Sequence, residues 1–119
     1  MAPPEELTIT ETTQHAVVIL SLDGPVSVKT FEQLDKTLHE LFHEGHYRII
    51  LDMAMVLYVS SAGAGVFMNA LSLCRENDGN IVLINITESV AEVLDLLNLT
   101  NILPTAKSLD LALASFNHA

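Results

Sequence analysis

Three kinds of hydrophobic pattern follow one another along this chain, and their order predicts an α/β fold. From Leu7 to Thr13, "LTITETT" sets Leu7 and Ile9 against alternating threonines, and "AVVILSL" from Ala16 to Leu22 is a β-branched run. Together they predict two strands joined at Gln14 and His15. The "DGP" at Asp23 to Pro25 interrupts this pattern, and the period then lengthens. Between Ser27 and His43, Phe31, Leu34, Leu38, Leu41 and Phe42 recur at helical spacing, with a capping box offered by Thr30 and Gln33, an earlier start offered by Ser27, and a stop at Gly45.

Two later segments, "YRIILDM" from Tyr47 and "NIVLINI" from Asn80, are almost continuously apolar, as parallel strands buried on both faces are. Between them, Val66, Phe67, Ala70, Leu71 and Cys74 form one helical face that ends at Asn77-Asp78-Gly79, which completes a βαβ unit. Ser89 with Glu92 reads as another capping box, opening a helix whose buried face is Val90, Val93, Leu94 and Leu97. "NILP" at Asn101 to Pro104 reads as a short strand, and Ser108 as the cap of a last helix with Leu109, Ala112, Leu113 and Phe116 facing inward. The tail "NHA" is expected to fray. The order β, β, α, β, α, β, α, β, α predicts one domain over residues 1–119, with its core at about 8–116. Its sheet is mixed, with four to five strands and about four helices: an antiparallel hairpin feeds a parallel core through right-handed crossovers.

Charge removes two classes of partner. Fifteen acidic residues against five basic ones give a formal net charge of -10, which repels nucleic acid phosphates and anionic lipid headgroups. Cys74 is the sole cysteine, so no internal disulfide forms, and the expectation is a buried structural thiol in a reducing compartment. "MAPPEEL" places acids where a signal peptide needs basic residues before an apolar run. No segment reaches the roughly 18 apolar residues of a membrane span. The expected location is the cytoplasm.

Several candidate chemistries lack a partner group. His39 and His43 are four apart with His46 nearby, but they alternate with Leu38, Leu41 and Phe42 at a helix margin, so a solvated histidine face and no metal is expected. The "GAG" of Gly63 to Gly65 lacks the third glycine of a dinucleotide fingerprint and the Gly-Lys-Ser/Thr of a P-loop, so no cofactor is expected. Serines 60 and 61 precede the glycines instead of lying between them, unlike a nucleophile elbow, and the chain is not expected to be an enzyme.

There remains "YVSSAGAG", Tyr58 to Gly65, where a strand turns into a helix. Its order of residues resembles the signature of the STAS domain, the fold of bacterial anti-sigma factor antagonists: an acidic residue, a phosphorylatable Ser, a Ser or Thr, then Gly, an apolar residue and Gly. Aligning the glycines on Gly63 and Gly65 places Ser61 at the phosphorylated serine. "LDGPVSVKTFEQLDKTL", "RIILDM" and "ITESVAEVLDLLNLTNILP" resemble the family's loop and first helix, its central strand, and its later helix and strand. The likeness covers about Thr8 to Phe116. It departs at Ser60, where the family has an acid, and at Ala62, where the family has a hydroxyl. Ser61 is the expected phosphosite, with Ser60 as the alternative acceptor and a purely structural cap as the other use of these hydroxyls.

The resemblance implies a regulator that binds an anti-sigma factor which is also a serine kinase, and that is released when Ser61 is phosphorylated. It places Asp23, Gly24 and Val26 in a loop beside Ser60, Ser61, Ala62, Gly63 and Gly65, with Met68 on the same rim, as partner-binding residues. Gly63 and Gly65 serve either close approach by a partner or helix-to-sheet packing. A scaffold or accessory domain of a signalling or transport assembly, without a phosphorylation cycle, is the alternative implied by the same fold. The stand-alone length favours the antagonist, and Ser60 in place of the acid favours the scaffold.

Overall fold

The computed structural model describes residues 5–116. Its elements keep the expected order: β1 (Thr8–Gln14), β2 (Val17–Asp23), α1 (Phe31–His43), β3 (Arg48–Met55), α2 (Ser61–Glu76), β4 (Asn80–Ile84), α3 (Glu88–Leu96), β5 (Thr105–Ala106) and α4 (Leu109–Ser115). The five strands lie side by side in chain order, β1 antiparallel to β2 and every later neighbour parallel. Each parallel crossover therefore steps the same way across the sheet, and right-handed connections put α1, α2 and α3 on one face. Helix α4, after the last strand, covers the other.

The core divides along the same line. Val18, Leu20 and Leu22 of β2, Ile49, Leu51 and Met53 of β3, and Ile81 and Leu83 of β4 pack with the three-helix layer. Their alternates Val17, Ile19, Ile50, Val82 and Ile84 pack on Ala112, Leu109 and Leu113 of α4 and on Phe116 at its C-cap. Period-2 alternation with both sets apolar is what a doubly covered strand requires, and it explains the unbroken apolar runs. β1 is the exposed edge, with Ile9 alone half-buried along it.

Local signals differ from expectation at four places. Thr30 precedes α1 but does not cap it, because its Oγ1 donates to the Pro25 carbonyl at 2.7 Å and accepts from Ser27 N at 2.9 Å, while Gln33 Nε2 donates to the Leu7 carbonyl at 2.8 Å. The hydroxyl braces the preceding turn instead. Thr87, not Ser89, caps α3, accepting from Val90 N at 3.4 Å. Leu97 lies beyond the helix end and is exposed, so the buried face reduces to Val90 and Leu94. The "NILP" segment is a turn closed by Leu99 carbonyl bonds and anchored by buried Leu103, and the strand comes after it at Thr105–Ala106. Gly45 stops α1 with φ +87, His46 N reaching Leu41 O at 2.9 Å and Gly45 N reaching Phe42 O at 3.0 Å, a Schellman closure. The "NHA" tail lies outside the described residues.

Candidate functional site

At the C-terminal ends of β2 and β3 the two outgoing loops are stitched together. Gly24 N donates to Met55 O at 3.1 Å, Val26 N to Tyr58 O at 3.0 Å, and Ser60 N to Val26 O at 2.9 Å. Val26 and Val59 form a parallel bridge beyond the ladder proper. Gly24 has φ +120, and a Cβ there would collide with the Glu6 carbonyl, so this turn needs glycine on both counts. Asp23 beside it is exposed, whereas the Val26 side chain is fully buried and frames the site from below.

The first turn of α2 passes directly over Val26. A Cβ on Gly63 would lie 2.5 Å from the Val26 carbonyl oxygen, so the missing side chain serves packing within this chain. Gly65 is exposed with open space where a Cβ would stand. Ala62 is half-buried, and Met68 is half-buried against the core.

The two serines are divided by this geometry. Ser60 adopts φ -83 and ψ 170, is 7% exposed, and accepts from Gly63 N at 3.1 Å through its Oγ. It is the N-cap of α2. Ser61, the first helical residue, is exposed. Its surroundings differ electrostatically from those of the other helix starts: the first turns of α1, α3 and α4 carry Glu32, Glu88 and Asp110, while that of α2 carries no acid. In a chain with fifteen acids, the first turn of α2 contributes no negative side chain of its own to the positive end of the helix dipole, where the exposed Ser61 stands.

Sequence patterning missed the apolar surface beside these serines. Met55, Leu57 and Tyr58 are 62%, 71% and 52% exposed. Their orientation is set from below, because Val56 and Val59 are buried and Thr87 Oγ1 donates to the Val56 carbonyl at 2.9 Å. Asp52 Oδ1 accepts from Ala54 N and from Asn85 Nδ2, both at 3.1 Å, fixing the strand end. The signal was present as "AMVLY", an apolar run in a connection that has to cross the surface.

The remaining candidates are dispersed. His39 Nε2 lies 3.4 Å from Asp35 Oδ1 and its ring meets Phe42 edge-on, while His43 and His46 are exposed. Among the described residues no three His, Cys, Asp or Glu side chains converge on a possible metal site. Cys74 is buried inside α2, and burial pushes its thiol up to about 11. Among the described residues no helix is long and apolar enough to cross a membrane.

Comparison with known proteins places this arrangement among relatives. The family model described as STAS domain matches residues 8–112. BtrV of Bordetella bronchiseptica is 32% identical over 87% of this chain and 89% of its own. The anti-sigma-B factor antagonist of Staphylococcus epidermidis is 25% identical over 71% of this chain and 78% of its own. The anti-sigma factor antagonist SpoIIAA in its unphosphorylated form superposes with a TM-score of 0.76 at 18% identity, covering 91% of this chain and 95% of that one. The phosphorylated form from Bacillus gives 0.69 at 16% identity, covering 91% and 98%.

Proposed function

This chain belongs to the STAS domain family, and on that premise we propose that it is a non-enzymatic anti-sigma factor antagonist whose switch is the hydroxyl of Ser61. Unmodified, it binds an anti-sigma factor that is also a serine kinase, and so frees the sigma factor. Phosphorylated on Ser61, it lets go. The kinase supplies ATP and magnesium; this chain supplies the acceptor.

The observation that carries the reading is the division of labour between adjacent serines. The Ser60 hydroxyl is buried and bonded to Gly63 N, while Ser61 is exposed at a helix start that no acid occupies. A kinase can reach Ser61 without unwinding α2. A phosphate there gains from the helix dipole, worth about 0.3–1 kcal/mol at an exposed position, so the fold tolerates it. The phosphate's charge of about -1.5 to -2 must be desolvated when the surface docks, and the penalty falls on the complex. A docking difference of about 3 kcal/mol changes affinity roughly a hundredfold. Curated relatives named as anti-sigma-B factor antagonists, and a fold neighbour solved with and without phosphate, support this reading.

The test is incubation with a GHKL-type serine kinase from the same genome and ATP, followed by mapping of the modified residue. Label on Ser61 in the wild type, lost in Ser61→Ala and retained in Ser60→Ala, is the expected result. Equal labelling of wild type and Ser61→Ala defeats the assignment. The scaffold reading is favoured by Ser60 alone, and it predicts equal partner affinity for Ser61→Asp and Ser61→Ala.

A further inference from the structure

Beside the acceptor serine lies a cleft of about 400 Å³ between Asp23, Gly24 and Pro25 on one side and Met55, Leu57 and Tyr58 on the other. We propose that this cleft and its apolar ledge anchor the kinase: an aliphatic or aromatic side chain of the partner seats between the two loops, and this contact sets the affinity of the unmodified complex. The inference rests on the phospho-acceptor reading of Ser61 and adds the partner contact that reading lacks.

The occupant is fixed by reach. A kinase that transfers phosphate to Ser61 Oγ must cover the surface around that atom, and a standard interface of about 800 Å² per partner corresponds to a disc of roughly 16 Å radius. Tyr58 and Leu57 precede Ser61 by three and four residues, so even a fully extended chain puts them within about 11 and 14 Å of it. Both fall inside such a footprint when it is centred on Ser61. Their side chains are exposed, bulky and apolar in the unbound domain, and tyrosine in particular is enriched among residues that dominate binding energy.

The ledge also arrives preorganised, which lowers the cost of binding. Backbone bonds from Gly24 N to Met55 O and from Val26 N to Tyr58 O hold the two walls together, and the Thr87 hydroxyl fixes the backbone between Met55 and Leu57 by donating to the Val56 carbonyl. Asp23 is the one charged residue lining the cleft, so a basic residue flanking the inserted side chain completes the match.

The experiment measures binding of the full chain to a purified GHKL-type serine kinase from the same genome, and separately the steady-state phosphorylation of Ser61. Leu57→Ser and Tyr58→Ser are expected to weaken binding at least tenfold and to raise KM for this substrate, with kcat within twofold of wild type. Leu111→Ser, which removes an apolar side chain 57% exposed on α4 across the sheet, is the control and is expected to change neither. Binding by both ledge variants within twofold of wild type, or an equal loss in Leu111→Ser, overturns the anchor while leaving the phosphosite in place. Failure of the wild type to bind or be labelled by any such kinase overturns the phosphosite and the anchor together.

Discussion

The β3–α2 and β4–α3 junctions are built alike, each a parallel strand running into a helix capped by a hydroxyl that accepts from the N3 amide, Ser60 to Gly63 at 3.1 Å and Thr87 to Val90 at 3.4 Å. They differ in the residues just past the cap. Glu88 enters the first turn of α3 and meets its dipole, whereas the first turn of α2 is Ser61, Ala62 and Gly63, all uncharged. One junction is electrostatically finished. The other is capped by its hydroxyl alone, with no acid in its first turn.

The largest test of this comparison removes the close approach that positions α2. Gly63→Ala places a methyl 2.5 Å from the Val26 carbonyl, and overpacking of this kind costs about 1–3 kcal/mol. Urea unfolding should show a lower midpoint at unchanged slope. No similar cost is expected for Gly65→Ala, where the space is open.

The next concerns the inner flank of α2. Cys74 has its thiol raised from 9.0 to about 11 by burial, so the folded state holds the proton more tightly than the unfolded chain. The stability this contributes is full below about pH 9 and is lost as pH rises through about 11, on the order of 2 kcal/mol. Thermal unfolding between those limits should fall more steeply for wild type than for Cys74→Ala.

Removing the caps should cost about 1 kcal/mol in Ser60→Ala. Thr87→Ala should cost more, because it also strips the buried Val56 carbonyl of its 2.9 Å hydroxyl partner. Equal losses, measured by denaturant unfolding, would show that the two junctions are not distinguished by that tertiary tie.

The smallest effect is the most direct. Ser61→Asp should raise stability by about 0.3–1 kcal/mol over Ser61→Ala at low ionic strength, and the gain should shrink in high salt. Glu88→Gln should act in the opposite direction at α3.

Much of this organisation was legible in the chain. The order of nine elements can be read from periodicity, because strands with two apolar faces and helices with one leave different spacings, and Ser60-Ser61 could be placed at a helix start. The features that stayed hidden depend on contacts between distant segments. Thr87 displaces Ser89 as cap because its hydroxyl also reaches Val56, thirty-one positions away. Thr30 is drawn off its helix by the Pro25 carbonyl. The exposure of Met55, Leu57 and Tyr58 comes from the inward turn of Val56 and Val59, and an apolar run alone does not say which members face water. Likewise, the even choice between partner approach and packing at Gly63 needed the position of Val26.

Because neighbours in the sheet are also neighbours along the chain, assembly can proceed from one edge without waiting for a distant segment. A nascent polypeptide leaving the ribosome can add each strand to a template already made. The Ser61 corner is framed once β3 docks on β2 and Val59 meets Val26, while the α4 layer is still to come. The Ser61 corner is thus among the first parts to take shape during synthesis.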